Sequence, residues 1–194
     1  MNLLTDNIES EKRIAIEDSI KKLLLLIGED VTRNGLKETP SRVAKMYEEV
    51  FSGYREDPKK VLDVTFDENY NELVVIRDID YYSHCEHHMI PFFGKVHIGY
   101  YPNKKIAGLS KFARLVEVFS NRLQVQERLT SQIAEIIEEV LCTKGVIVIV
   151  EGKHLCMCSR GVKQVNSNTV TIETRGVFKG NDSLRFEFLT LVKD

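Results

Sequence analysis

The 194-residue chain is 43% apolar and carries a formal net charge of −2, enough apolar material for a substantial core in one domain, or one domain with a helical appendage. That balance argues against a general nucleic-acid or membrane surface, though it permits a local basic pocket. No apolar run approaches the roughly 20 residues of a membrane span. Residues 1–10 are acidic and lack a signal-peptide pattern, so the four cysteines read as reduced thiols or metal ligands of a cytoplasmic protein.

Apolar Ile16, Ile20, Leu23, Leu24 and Ile27 recur at helical spacing, and Gly28 can stop that helix. Thr39-Pro40 reads as a second helix start, with Thr39 as cap and Pro at the first helical position. That helix uses Val43, Met46, Tyr47 and Val50 and ends near Gly53. Residues 61–66 and 72–79 look like strands, and 95–101 is a third with Val96, Ile98 and Tyr100 on one face. A helix is expected over 110–123, capped by Ser110. A longer one runs over 125–142 with a stripe of Leu129, Ile133, Ile136, Ile137, Val140 and Leu141, and Cys142 ends that stripe as a core residue. Strands at 146–150 and 169–174 follow, then a short helix capped by Ser183 that uses Leu184, Phe188 and Leu191. Helices, strands, two helices and strands again predict an α+β fold with antiparallel pairing. Residues 1–53 are expected to form a helical arm and 54–194 the main domain.

The chemistry concentrates in Cys85-Glu86-His87-His88 and, far downstream, His154-Leu155-Cys156. In a helical turn residues three apart share a face, so Cys85 and His88 can point at one metal ion while His87 points elsewhere. Cys156 as third ligand leaves the fourth tetrahedral position open, the pattern of a catalytic zinc. His87 and His154 then lie beside the ligands as proton carriers. Cys158 is the complication: if 156–158 is extended, its side chain shares a face with Cys156, and it can close the site. Leaving it out is what gives His87 and His154 a purpose.

Two further groups stand out. Lys111 and Arg114 follow Ser110 in the first turn of a helix, where cations oppose the helix dipole. A bound phosphate would resolve that conflict, with Arg160 and Lys163 extending the pocket; a solvated basic face is the plainer alternative. Gln126 and Glu127 open the long helix, and a carboxylate there can accept from the N–H edge of a guanine. By themselves these two also read as an ordinary acidic first turn.

Taken together these segments resemble GTP cyclohydrolase I. The likeness covers most of the chain. It is carried by Ser83-His84-Cys85-Glu86-His87-His88, by Gly108-Leu109-Ser110-Lys111, by Arg122-Leu123-Gln124-Val125-Gln126-Glu127-Arg128-Leu129-Thr130, by His154-Leu155-Cys156 with Ser159-Arg160-Gly161, and by Glu38-Thr39-Pro40-Ser41-Arg42. Cys158 and the charged Glu173-Thr174-Arg175-Gly176 depart from the family pattern. The resemblance implies a tunnelling fold, antiparallel strands with two helices on one face, assembled into rings and typically a homodecamer of two pentamers with shared active sites. It implies conversion of GTP to 7,8-dihydroneopterin triphosphate and formate, the first step towards folate or other pterins. By position it places one zinc ion per chain on Cys85, His88 and Cys156, where a bound water of lowered pKa attacks C8 of the purine. His87 and His154 move protons, and Ser110 lies near the sugar carbons. Gln126 and Glu127 hold the guanine, while Lys111, Arg114, Arg160 and Arg42 hold the triphosphate.

Overall fold

A computed structural model describes residues 3–63 and 65–193, with side chains from residue 10 onward. The chain divides into two compact units, Met1–Ser52 and Gly53–Asp194. In the first, α1 (Leu3–Leu26) is followed by α2 (Thr39–Val50). Gly28, at φ +92°, takes the left-handed conformation that lets the chain leave α1 at little steric cost. The Arg13 guanidinium donates to both carboxylate oxygens of Glu48, at 2.6 and 2.7 Å, and so ties the two helices together. Thr39 is not the cap of α2: Glu38 occupies that position, and the Thr39 hydroxyl donates back to the main-chain oxygen of Gly35 at 3.3 Å.

The second unit is built on a five-stranded sheet of order β5-β2-β3-β6-β7, from β2 (Val74–Cys85), β3 (Pro91–Tyr101), β5 (Leu123–Gln124), β6 (Gly145–His154) and β7 (Thr169–Gly176). Strands β1 (Thr65–Asp67) and β4 (Lys105–Ala107) pair separately. Alternation decides the two faces of the sheet. Val96, Ile98, Tyr100, Val146, Val148 and Val150 point to one face, where α4 (Leu109–Ser120) and α5 (Gln126–Leu141) close the main core with Phe112, Leu115, Leu129, Ile133 and Ile137. Ile147 and Ile149 point to the other and pack with Phe178 and with Phe188 of α7 (Asp182–Val192). This is an α+β architecture.

Several boundaries differ from those the sequence predicts. Residues 61–66 are not one strand: Asp57 accepts the Lys59 N–H at 3.0 Å and caps α3 (Pro58–Leu62), and the strand starts at Thr65; Val64 lies outside the described residues. The second and third strands are longer, extending to Cys85 and back to Pro91. Helix α4 is capped by Gly108, not Ser110, and stops at Ser120. Asn181, not Ser183, caps α7 by accepting the Leu184 N–H at 3.2 Å. Cys142 is exposed, not core, because the chain turns left-handed there (φ +48°) and leaves the α5 stripe.

Candidate active site

Both β2 and β6 are antiparallel to β3, so they run the same way and their C-terminal ends emerge together. The short β5 pairs in parallel with the end of β2, Cys85 opposite Gln124, and the Glu86 N–H donates to the Gln124 main-chain oxygen at 3.0 Å. Three segments therefore converge at one edge of the sheet: the end of β2, the start of α5, and the end of β6 with its short continuation α6 (Leu155–Cys158). A cavity of about 300 Å³ opens there, lined by Cys85, His87, Gln126, Glu127, His154 and Cys156 among others.

Cys85 is buried and held by its own backbone. Its N–H donates to Ile90 O at 3.0 Å, and its carbonyl accepts from Met89 N–H at 2.8 Å. The turn between them brings His88 Nδ1 to 3.8 Å from Cys85 Sγ. Cys156 comes in from α6, and the ligand atoms of Cys85, His88 and Cys156 all lie within 4.8 Å of one another. Two sulfurs and one ring nitrogen so grouped suit zinc, whose bonds to sulfur and nitrogen are about 2.3 and 2.0–2.1 Å. Burial first, and the neighbouring Cys85 sulfur second, push the Cys156 thiol above its usual pKa. Cys158 belongs to the same short helix, where residues two apart diverge. Its thiol contacts the main-chain oxygen of Gln164 at 3.5 Å, so the extended conformation that would align it with Cys156 is not adopted.

Around these three, His87 stands on the exposed turn with its ring 6.2 Å from that of His88 at an interplanar angle of 73°. His154 ends β6, opposite Phe92 in the β3 register. The two rings stack at 4.6 Å and 5°. Burial holds the His154 imidazole below its ordinary pKa, with the Glu127 carboxylate acting in the opposite sense. Gln126 is buried, and its amide bonds to Val150, Thr169, Thr171 and His154. Glu127 is exposed in the first turn of α5.

The basic residues lie elsewhere. Lys111 and Arg114, on α4, line a separate cavity of about 480 Å³ with Lys60, Glu56, Asp57 and Glu117. Ser110 is exposed on the same helix, and Arg160 and Lys163 are exposed after α6. Arg42 belongs to the other unit. Within the second unit, then, the structure gathers the Cys85–His88–Cys156 group, His87, His154 and the α5 start around one cavity, but not the cations.

Sequence reasoning assigned no role to Glu86 and Arg128, although both stand in the motifs and have opposite charge. They form a two-point ion pair, at 2.5 and 3.2 Å, that ties the metal turn to α5, and the Arg128 guanidinium holds the Glu86 carboxyl below its usual range. Thr130, the last residue of the α5 motif, and Thr171 complete the network around Gln126; their pairing left no trace in the sequence, since nothing there joins an α5 residue to β7.

The sequence profile of the GTP cyclohydrolase I family matches residues 16–193. The chain is 52% identical over 192 residues to GTP cyclohydrolase 1 of Chlorobium chlorochromatii (strain CaD3), covering 98% of this chain and 82% of that one. It is 51% identical over 177 residues to GTP cyclohydrolase 1 of Campylobacter lari, covering 91% and 93% respectively. A crystal structure of the archaeosine synthase QueF-Like in the apo form superposes on 54% of this chain and 93% of its own, at 17% identity and a TM-score of 0.44. The chain belongs to the GTP cyclohydrolase I family and is an enzyme of that family.

Proposed function

We propose that this enzyme converts GTP to 7,8-dihydroneopterin triphosphate and formate at the cavity where β2, α5 and β6 meet. The observation that carries the reading is the grouping of Cys85, His88 and Cys156 within 4.8 Å beside Glu127 and His154 in one cavity, on a chain of this family. Zinc held by those three residues would supply Lewis acidity and an acidified water, with a coordination position left open. The protein's own groups do the rest. The Glu127 carboxylate accepts the N–H donors at the guanine edge. Gln126, whose side-chain amide is already engaged, adds its main-chain N–H, one of the donors a first helical turn leaves unpaired. His87 and His154 shuttle protons while the imidazole ring opens and C8 leaves as formate. Ser110 attends the ribose, and Lys111, Arg114, Arg160 and Arg42 bind the triphosphate.

The separation of the Lys111–Arg114 cavity from the Cys/His cavity supports a site shared between copies of the chain. We therefore read the assembly as a tunnelling-fold ring, a homodecamer of two pentamers, with residues 1–53 as its helical arm and 54–194 as the catalytic domain. Among the described residues no helix is long and apolar enough to cross a membrane, and thiolate ligands fit the reducing cytoplasm. The test is product analysis. Protein incubated with GTP should yield the pterin triphosphate by mass together with formate. Accumulation of the ring-opened formamide, or unchanged GTP, would refute the assignment.

A further inference from the structure

The orientation of the Gln126 amide follows from its neighbours. Its nitrogen lies 2.9 Å from the main-chain oxygen of Val150 and 3.0 Å from that of Thr169. Carbonyl oxygens only accept, so the –NH2 must face them and Oε1 must face away. The third contact agrees. Thr130 Oγ1 donates to the main-chain oxygen of Gln126 at 2.7 Å and so accepts from Thr171 Oγ1 at 2.6 Å. Thr171 Oγ1 is then left to accept from the amide nitrogen at 3.2 Å. The amide nitrogen has two hydrogens for these three acceptors, so one is shared between Thr171 Oγ1 and a carbonyl, and Oε1 faces away in either case.

Oε1 meets His154 Nε2 at 2.8 Å. An amide oxygen only accepts, so Nε2 carries a hydrogen. The ring plane is fixed independently by the stack on Phe92 at 4.6 Å and 5°. Close approach of the amide also explains Gly152: a Cβ there would fall 2.3 Å from Oε1.

We propose that Gln126 is a positioning residue that holds His154 with a hydrogen on Nε2, against Oε1, and leaves Nδ1 as the nitrogen through which the ring exchanges its proton. This rests on the reading of His154 as a proton carrier and adds which of its atoms serves. It also gives the buried side chain of Gln126 a task distinct from contact with the base.

The experiment is 15N NMR of the zinc-loaded enzyme carrying ring-15N histidine, with His154 assigned by difference against His154→Gln. The expected spectrum has a protonated, pyrrole-type Nε2 and an unprotonated, pyridine-type Nδ1. The reverse pattern would overturn the proposal, and this needs no variant of Gln126 to fold. In Gln126→Leu the ring should relax to a mixture of tautomers. Zinc content should stay at the wild-type level and KM for GTP should be little changed, while kcat falls about 10- to 100-fold, the scale for losing a group that orients an imidazole. A folded Gln126→Leu enzyme with wild-type tautomer and kcat would also overturn it. A lost tautomer with unchanged kcat would overturn the catalytic half, and with it the proton-carrier reading of His154, whereas product formation from GTP tests the reaction itself.

Discussion

Cys156 and Cys158 are two residues apart in one short helix and have different surroundings. One joins Cys85 and His88; the other contacts the main-chain oxygen of Gln164. Cys85→Ala and Cys156→Ala are therefore expected to lose both zinc and turnover, and Cys158→Ser to keep both, as read by metal analysis and formate release. His87→Ala and His154→Ala should keep zinc yet lose roughly 10²-fold or more in turnover, the scale for a general acid or base. Substrate recognition divides in the same way. Glu127→Ala should weaken GTP and guanosine alike, by the few kcal/mol that follow when a recognition group is left unpaired. Lys111→Ala should weaken GTP far more than guanosine, and equal losses in competition binding would contradict a phosphate role. The Cys85/His88 pair was legible because the chain makes a helical turn there, closed by the Met89 N–H on the Cys85 oxygen, and residues three apart in such a turn share a face. The bonding of Gln126 was not legible, because its partners Val150, Thr169 and Thr171 come from strands whose register only the fold sets.

At the scale of elements, periodicity found α5 and the apolar strand β6, whose side chains repeat without interruption. It failed at ends, where one capping side chain or one turn decides: Asp57 made helix of residues read as strand, and Cys142 left the core because the chain turns there. The bulge in β2 was likewise invisible. It sits between Ile76 and Ile79, with Asp78 at φ +61° and its N–H donating to Nδ1 of His97 at 3.2 Å. His97 is buried, and burial lowers its pKa against the opposing pull of Glu151 and Asp78. The unfolded chain, with a histidine pKa near about 6.5, therefore binds more protons than the folded one between the two values. The stability due to neutral His97 is complete above about 6.5 and is lost as pH falls towards the lower folded value. Protonation also ends its role as acceptor for the Asp78 N–H. Urea midpoints should drop more steeply between about pH 7 and 5 for the wild type than for His97→Gln, and parallel slopes would exclude His97 as a source of the acid sensitivity.

For the molecule as a whole, the two cavities pose the question of assembly. The Cys/His cavity and the Lys111–Arg114 cavity share no lining residue, yet the proposed reaction needs both on one GTP. If a neighbouring copy supplies the cations, mixing inactive Cys156→Ala protein with Lys111→Ala protein, at a GTP concentration too low for the latter to turn over by itself, should restore partial activity through hybrid sites. Activity that stays at the sum of the separate variants, or a fully active monomer by light scattering, would exclude a shared site. The claim beneath all of this is that the Cys85–His88–Cys156 group holds a catalytic zinc for GTP hydrolysis. It is tested most directly by stripping the metal with a chelator, returning zinc in steps and following formate released from GTP. Activity should rise in proportion to bound zinc and level off at one zinc per chain, with none recovered in Cys156→Ala. Formate release from the stripped protein, or recovery in Cys156→Ala, would contradict the account.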